Sequence, residues 1–391
     1  MTVFTGLDRL FGEERWLSRL RGKRLALLVH AASVNREIVH LIDLCRQEKL
    51  LVGRIFAPEH GLWADAQDME GVEDTRDPIH ELPIRSLYGA SFQDLLPKAN
   101  DFDDIELLII DLQDIGARYY TFVYSAALCI EQCAKLGVPV LVLDRPNPIG
   151  GLQLEGNVVE PELRSFVGLY GLATRHGMTI GEALRLIAAS EGWPAPELVS
   201  MQGWQRSMYF EDTGLPWVLP SPNMPTVDTA VVYPGGCLWE GTRLSEGRGS
   251  TRPFELFGAP WLNPSEVLAV VEPQCLEGVR LRRLVFRPTF HKFAGQSCRG
   301  FQLHVHDREH FRPLLLAMGL LRAIGKVHPE QLEWRREPYE FVADRLAIDL
   351  LLGAVGLREQ ILGTTPWSQI EEELANSRQG FEAQRREHLL Y

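Results

Sequence analysis

The sequence predicts an α/β protein: a parallel-sheet N-terminal domain followed by a smaller C-terminal α/β domain. Three observations carry this reading. Apolar runs such as "RLALLVHAA", "IELLIIDLQ" and "PVLVLDR" are continuous rather than alternating, as strands buried on both faces are. Helix-like segments separate them, which is the pattern of parallel strands joined by crossovers. A chain of 391 residues also exceeds one ordinary core. The expected division is residues 1–236 and residues 237–391.

The elements follow in order. A first strand is expected over 24–32. A helix over 35–50 would place Ile38, Leu41, Ile42 and Cys45 on one face. Strands follow at 50–57, 83–89 and 105–113. A helix at about 121–136 would end at Gly137, the residue type that ends helices in the left-handed conformation. A strand at 139–145 comes next. Thr179 and Glu182 then have the spacing of a capping box at the start of another helix. Residues 197–204 read as a strand. From 205 to 260 the chain is rich in proline and glycine with little helical period, and it reads as a long ordered loop. Asn263-Pro264 marks a helix start. Residues 286–307 read as two strands around a turn, with helices at about 309–325, 340–352 and 366–387.

Composition narrows the function. The net charge is −12, so a nucleic-acid backbone or an anionic membrane is not expected as the main partner. The six cysteines form no Cys-x-x-Cys pair. The N-terminus shows no secretory pattern and no run is long and apolar enough for a membrane span, so a cytoplasmic protein is expected if Met1 is the native start. The glycine-rich loops that hold dinucleotides or nucleoside triphosphates are missing, so no cofactor is expected. There is no serine-hydrolase elbow. No oligomeric state is predicted.

Ligands of open parallel sheets bind beyond the carboxyl ends of the strands. Three consecutive strands here deliver polar clusters to that edge: Glu59-His60, then Asp111 to Tyr120, then Asp144 to Asn147. What remains is carboxylate and histidine chemistry. Glycoside cleavage needs a protonated carboxyl to assist the leaving oxygen and usually a second carboxylate. Glu59 suits the acid, with Trp63 as a candidate apolar wall; it could equally cap a loop. Asp111 or Asp114 could be the second carboxylate, or a structural acid tying loops together. Asp144 reads as a turn aspartate. His60 would tune Glu59 or hold a sugar, or be an ordinary loop histidine. "LPSPNMPT" presents Asn223 on a rigid proline-bound segment. "WEGTRLSEGRGSTRPFE" gathers Glu240, Glu246, Arg248 and Arg252, either to hold a carboxylate or as a self-paired charged loop. His304, His306 and His310 form either a metal cluster or, more simply, a solvated strand edge, and no metal is expected.

The motifs "FAPEHGLW", "IRSLYG", "DLQDIGARYYTFVYS", "VLDRPNPIGG", "SFVGLYGLATRHGMTIGE", the long "LPSPNMPT…FELFGAP" and "CRGFQLHVHD" occur in this order. Together they resemble the exo-β-N-acetylmuramidase family, glycoside hydrolase family 171, over nearly the whole chain. The resemblance implies a Rossmann-like N-terminal domain, a smaller C-terminal domain and an active site in the cleft between. It implies exo-hydrolysis releasing N-acetylmuramic acid from peptidoglycan fragments, so peptidoglycan-derived amino sugars are the expected partners. The family's Glu-His-Gly glutamate falls on Glu59. Carried over as cleft candidates are His60, Asp114, Arg118, Tyr120, Asn223, Glu240, Glu246 and Arg248, with Arg118 or Arg248 holding the lactyl carboxylate. Two stretches depart from the common family pattern, "EHGLWADAQDMEG" and "HAASVN". The alternative reading is a non-catalytic muropeptide or amino-sugar binding protein using the same cleft.

Overall fold

The structure is a computed structural model and describes residues 2–391. Its centre is a seven-stranded sheet. In chain order the strands are β1 (Arg24–Val29), β2 (Leu51–Ala57), β3 (Thr75–Arg76), β4 (Pro83–Ser86), β5 (Leu107–Asp111) and β6 (Val140–Leu143). After β7 (Glu155–Val158) and β8 (Ala173–Arg175), which form their own two-stranded sheet, β9 (Glu197–Val199) completes it. The spatial order is β3-β4-β2-β1-β5-β6-β9, parallel throughout except for the β3–β4 pair. The chain winds from β1 out through β2, then returns to the other side of β1 with β5. That reversal opens the crevice in which such sheets bind ligands.

Both faces are covered, which is why the central strands β1, β5 and β6 are almost continuously apolar. Leu25, Leu27, Val29, Ile109 and Leu143 face one core with the helices Gly6–Gly12 and Leu41–Gln47. The alternate residues Ala26, Leu28, Leu108, Ile110 and Val142 face the other. There the helices Phe122–Leu136 and Ile180–Glu191 pack. Gly137 ends the first of these at φ 70°, and the Thr179–Glu182 capping box opens the second.

The second half adds an antiparallel sheet in the order β10-β12-β11, from β10 (Leu256–Ala259), β11 (Val279–Phe286) and β12 (Cys298–Val305). Helices Pro313–Val327, Ala347–Leu352, Leu357–Leu362 and Trp367–His388 follow. The last one returns to the first half, where Arg378 donates to the Gly156 carbonyl and Arg385 to the His176 carbonyl. One hydrophobic cluster runs from Ala26 to Phe381, so the two halves share a core.

Four expectations are corrected. The helix expected from residue 35 starts at Leu41, because the Asn35 side chain turns the chain by accepting from Glu37 and Val39 N–H, and His40 supplies the cap. Ile38 lies exposed at φ 61°. The stretch 205–260 contains the helix Val227–Gly236, whose residues are all buried except Asp228. A helix covered on every side has no amphipathic period to read. The hairpin of residues 286–307 is longer than expected, with its first strand beginning at Val279 and residues 287–297 forming the connection. Finally, residues 340–346 are not helical: Glu340 and Phe341 adopt left-handed backbone at φ 46° and 68°.

Candidate active site

The cleft lies beyond the carboxyl ends of β2 and β5 and is narrow, with a cavity volume of about 40 Å³. Glu59 follows β2 by two residues. His60 and Gly61 turn the chain through consecutive left-handed conformations, φ 71° and 78°, so the glycine of Glu-His-Gly serves a position where a side chain would be strained. His60 lines the cleft and places Nδ1 3.0 Å from the Ala66 carbonyl.

Glu59 is buried. Its Oε2 accepts from the Thr121 hydroxyl at 2.8 Å, and its Oε1 from the Met69 N–H at 3.5 Å. Thr121 stands at the N-cap of the helix Phe122–Leu136, yet its side chain makes no cap bond. The Glu59 carboxylate therefore meets the positive end of a four-turn helix, where an anion is stabilised. The apolar wall around it is Phe122, Val167, Met224 and Phe254. Trp63 is not part of that wall; its ring N–H donates to Asp77 at 3.0 Å and it packs on the other face of the sheet.

The opposite wall comes from the second half. Arg248 donates to Glu240 Oε1 at 2.6 Å and lies 3.4 Å from Asp68 and 3.6 Å from Glu246. Its Nε and Nη1 have no hydrogen-bond partner. Glu240 Oε2 accepts from the Tyr339 hydroxyl at 2.6 Å. Glu246 lies behind, with Lys292 and His291 each at 2.9 Å. Although burial opposes its charge, these cations and Arg248 hold Glu246 well below the ordinary glutamate range, so it is a fixed anion. The connection between β11 and β12 supplies both partners.

Two cleft carboxyl groups, Asp68 and Glu340, were not among the residues selected from the sequence. Glu340 is buried on the left-handed turn, and its Oε2 accepts from the Tyr88 hydroxyl at 3.2 Å. Burial, then the neighbouring Glu59 and Glu240 carboxylates, push it well above the ordinary glutamate range. The stretch from residue 340 reads as helical in the sequence, which hid the left-handed turn that brings Glu340 to the cleft.

The other sequence candidates separate. Tyr120 and Asn223 line the cleft, and Asn223 donates to Gln67 at 3.0 Å. Asp114 and Arg118 do not line it. Asp114 accepts from the Gly116 N–H at 2.7 Å, fixing the turn after β5. Arg118 is fully buried and donates to the carbonyls of Asn157, Leu351 and Leu352, so its fork is spent on tying the two halves together. Asp111 pairs with Arg145 at 2.5 Å, and Asp144 accepts from Thr179, Gly181 and Tyr391; both are structural. Arg252 reaches in from the surface to pair with buried Glu255 at 3.1 Å. His304 is exposed on β12, and His310 pairs with Asp307 at 2.9 Å.

A larger hollow of about 420 Å³ lies at the opposite end of the sheet, lined by Trp16, Ile130 and Pro196. Its carboxylate, Glu197, is paired with Arg19, so it offers no spare carboxyl group for acid–base work.

Comparison with known proteins decides the family. Residues 25–228 match the family described as exo-beta-N-acetylmuramidase NamZ, N-terminal, and residues 231–391 match its C-terminal counterpart. The chain belongs to the NamZ family. Among its relatives is the peptidoglycan beta-N-acetylmuramidase NamZ of Bacillus subtilis, 38% identical over 391 residues, which are all of this chain and 91% of that protein. Two solved structures, DUF1343 family proteins of Bacteroides fragilis, superpose over 100% of this chain and 99% of theirs. Their TM-scores are 0.87 and 0.78 at 27% and 25% identity. The family's two-part α/β architecture is thus the one seen here.

Proposed function

We propose that this protein is an exo-acting glycoside hydrolase that releases N-acetylmuramic acid from the non-reducing ends of peptidoglycan fragments. The observation that carries the reading is the position of Glu59. The glutamate of the Glu-His-Gly turn faces a cleft walled by further carboxyl groups. The full-length similarity to a peptidoglycan β-N-acetylmuramidase supports the substrate class.

Cleavage of a glycosidic bond needs one carboxyl that holds a proton and one group that is negative. Glu59 supplies one of them. Arg248 is the cation placed to hold the lactyl carboxylate of muramic acid; its Nε and Nη1 make no hydrogen bond, with Glu246 and Asp68 at 3.6 and 3.4 Å from them. Tyr120, His60 and Asn223 bind the sugar. Glu59 and Thr121 come from residues 1–236, and Glu240, Arg248 and Glu340 from residues 237–391, which supports a cleft between two domains. The six cysteines are free and buried, as thiols in a reducing compartment are, and this supports action in the cytoplasm on internalised fragments.

The test is hydrolysis of a disaccharide carrying non-reducing N-acetylmuramic acid, followed by mass spectrometry. Wild type releases the free sugar, and Glu59→Gln loses at least about a hundredfold in rate. Tight binding without release by wild type would point to a binding protein instead.

A further inference from the structure

The cleft holds more acid than it can ionise. Five carboxyl groups, from Glu59, Asp68, Glu240, Glu246 and Glu340, stand within or directly behind it. Their cations are Arg248 and Lys292, with His291 beside them. Glu246 takes Lys292 and His291. Glu240 takes Arg248 at 2.6 Å, and Asp68 shares that guanidinium at 3.4 Å. Glu59 has the helix N-terminus and the Thr121 hydroxyl. Glu340 has no cation within 4 Å among the described residues; its hydrogen-bond partner is the neutral Tyr88 hydroxyl, 3.2 Å away.

Backbone geometry marks the same residue. Glu340 and Phe341 are consecutive non-glycine residues in left-handed backbone. Each such residue is strained, and strain of this kind persists where the surroundings over-determine it. Here Phe341 is held among the rings of Tyr88, Phe92 and Phe166. The aromatic cluster pays for a conformation whose effect is to hold the Glu340 carboxyl in the cleft.

We infer that Glu340 is the proton donor of the reaction and Glu59 its ionised partner, reversing the role expected for Glu59 from the sequence. The inference rests on the glycosidase reading above. Burial, then the facing carboxylates of Glu59 and Glu240, favour the protonated form of Glu340; the Tyr88 hydrogen bond acts in the opposite sense and Asp68 adds to the first. In the reaction, the bond from the anomeric carbon to the leaving oxygen breaks. The bonding pair stays on that oxygen, which takes the Glu340 proton. A water adds to the anomeric carbon and gives its proton to Glu59. Return of that proton to Glu340 resets the pair, so the sum is hydrolysis.

The experiment compares two β-N-acetylmuramides, one with a sugar leaving group and one with 4-nitrophenol, whose departure needs little protonation. For Glu340→Gln, cleavage of the sugar substrate falls at least about a hundredfold while the nitrophenyl substrate loses less than about tenfold. The basic limb of kcat/KM against pH also disappears. Glu59→Gln loses both substrates. The assignment is overturned if Glu340→Gln cleaves the sugar substrate like wild type, if it loses both substrates equally, or if Glu59→Gln is the variant that spares the nitrophenyl substrate. A wild type that cleaves neither substrate overturns the glycosidase reading itself. Tyr88→Phe gives a check that leaves both carboxyls in place. Losing the Tyr88 hydrogen bond moves the basic limb to higher pH, and an unmoved limb counts against Glu340.

Discussion

The Thr121 hydroxyl donates to Glu59 at 2.8 Å and leaves its own helix uncapped. The chain forgoes a cap worth about 1 kcal/mol to secure one carboxylate. Thr121→Val should therefore cost activity rather than only stability. A hydrogen bond to a charged group contributes about 1.5–3 kcal/mol, so kcat/KM should fall roughly ten- to a hundredfold. Thr121→Ser should restore it, and an unchanged kcat/KM in Thr121→Val would mean that this hydrogen bond does not serve the reaction.

Arg248 is buried among three carboxylates. Arg248→Gln leaves Glu240 without its cation, while Glu246 keeps Lys292 and His291, and should destabilise the fold by about 3–5 kcal/mol, read as a lower urea midpoint. Arg248→Lys keeps the charge but not the planar fork. It should raise KM for muramides more than it lowers kcat, and narrow the preference over the matching N-acetylglucosaminide, which lacks the lactyl carboxylate.

Asp144 provides a pH test outside the cleft. Burial raises it to about 6. An unfolded aspartate ionises near pH 4. Between those values the native state holds a proton that the unfolded chain has lost. This contribution to stability is full below about pH 4 and is lost as pH rises through about 6, a change of roughly 2–3 kcal/mol. Asp144→Asn should remove that slope from a series of urea melts between pH 4 and pH 7. A wild-type series parallel to the variant's would contradict it.

Much of the scaffold was legible because its signals are local. Gly137 and the Thr179–Glu182 box fixed helix ends at the residues where they occur. The Glu-His-Gly turn and the run from Glu240 to Arg248 carried the cleft. The losses have one physical cause, which is that context decides them. The helix Val227–Gly236 is covered on every side and so shows no period. Arg118 and Asp114 sit in polar motifs at the right strand end, yet backbone partners that no pattern displays draw them away from the cleft. Glu340 reaches the site by a left-handed turn about 280 residues downstream of Glu59.

That turn has a practical consequence for anyone improving this protein. Glycine at position 340 would relieve a strained conformation and remove a carboxyl from a crowded acidic cleft, two changes that each favour the folded state. A screen for thermal tolerance would therefore reward the loss of Glu340, and a hardier protein selected that way would be one that had surrendered its proton.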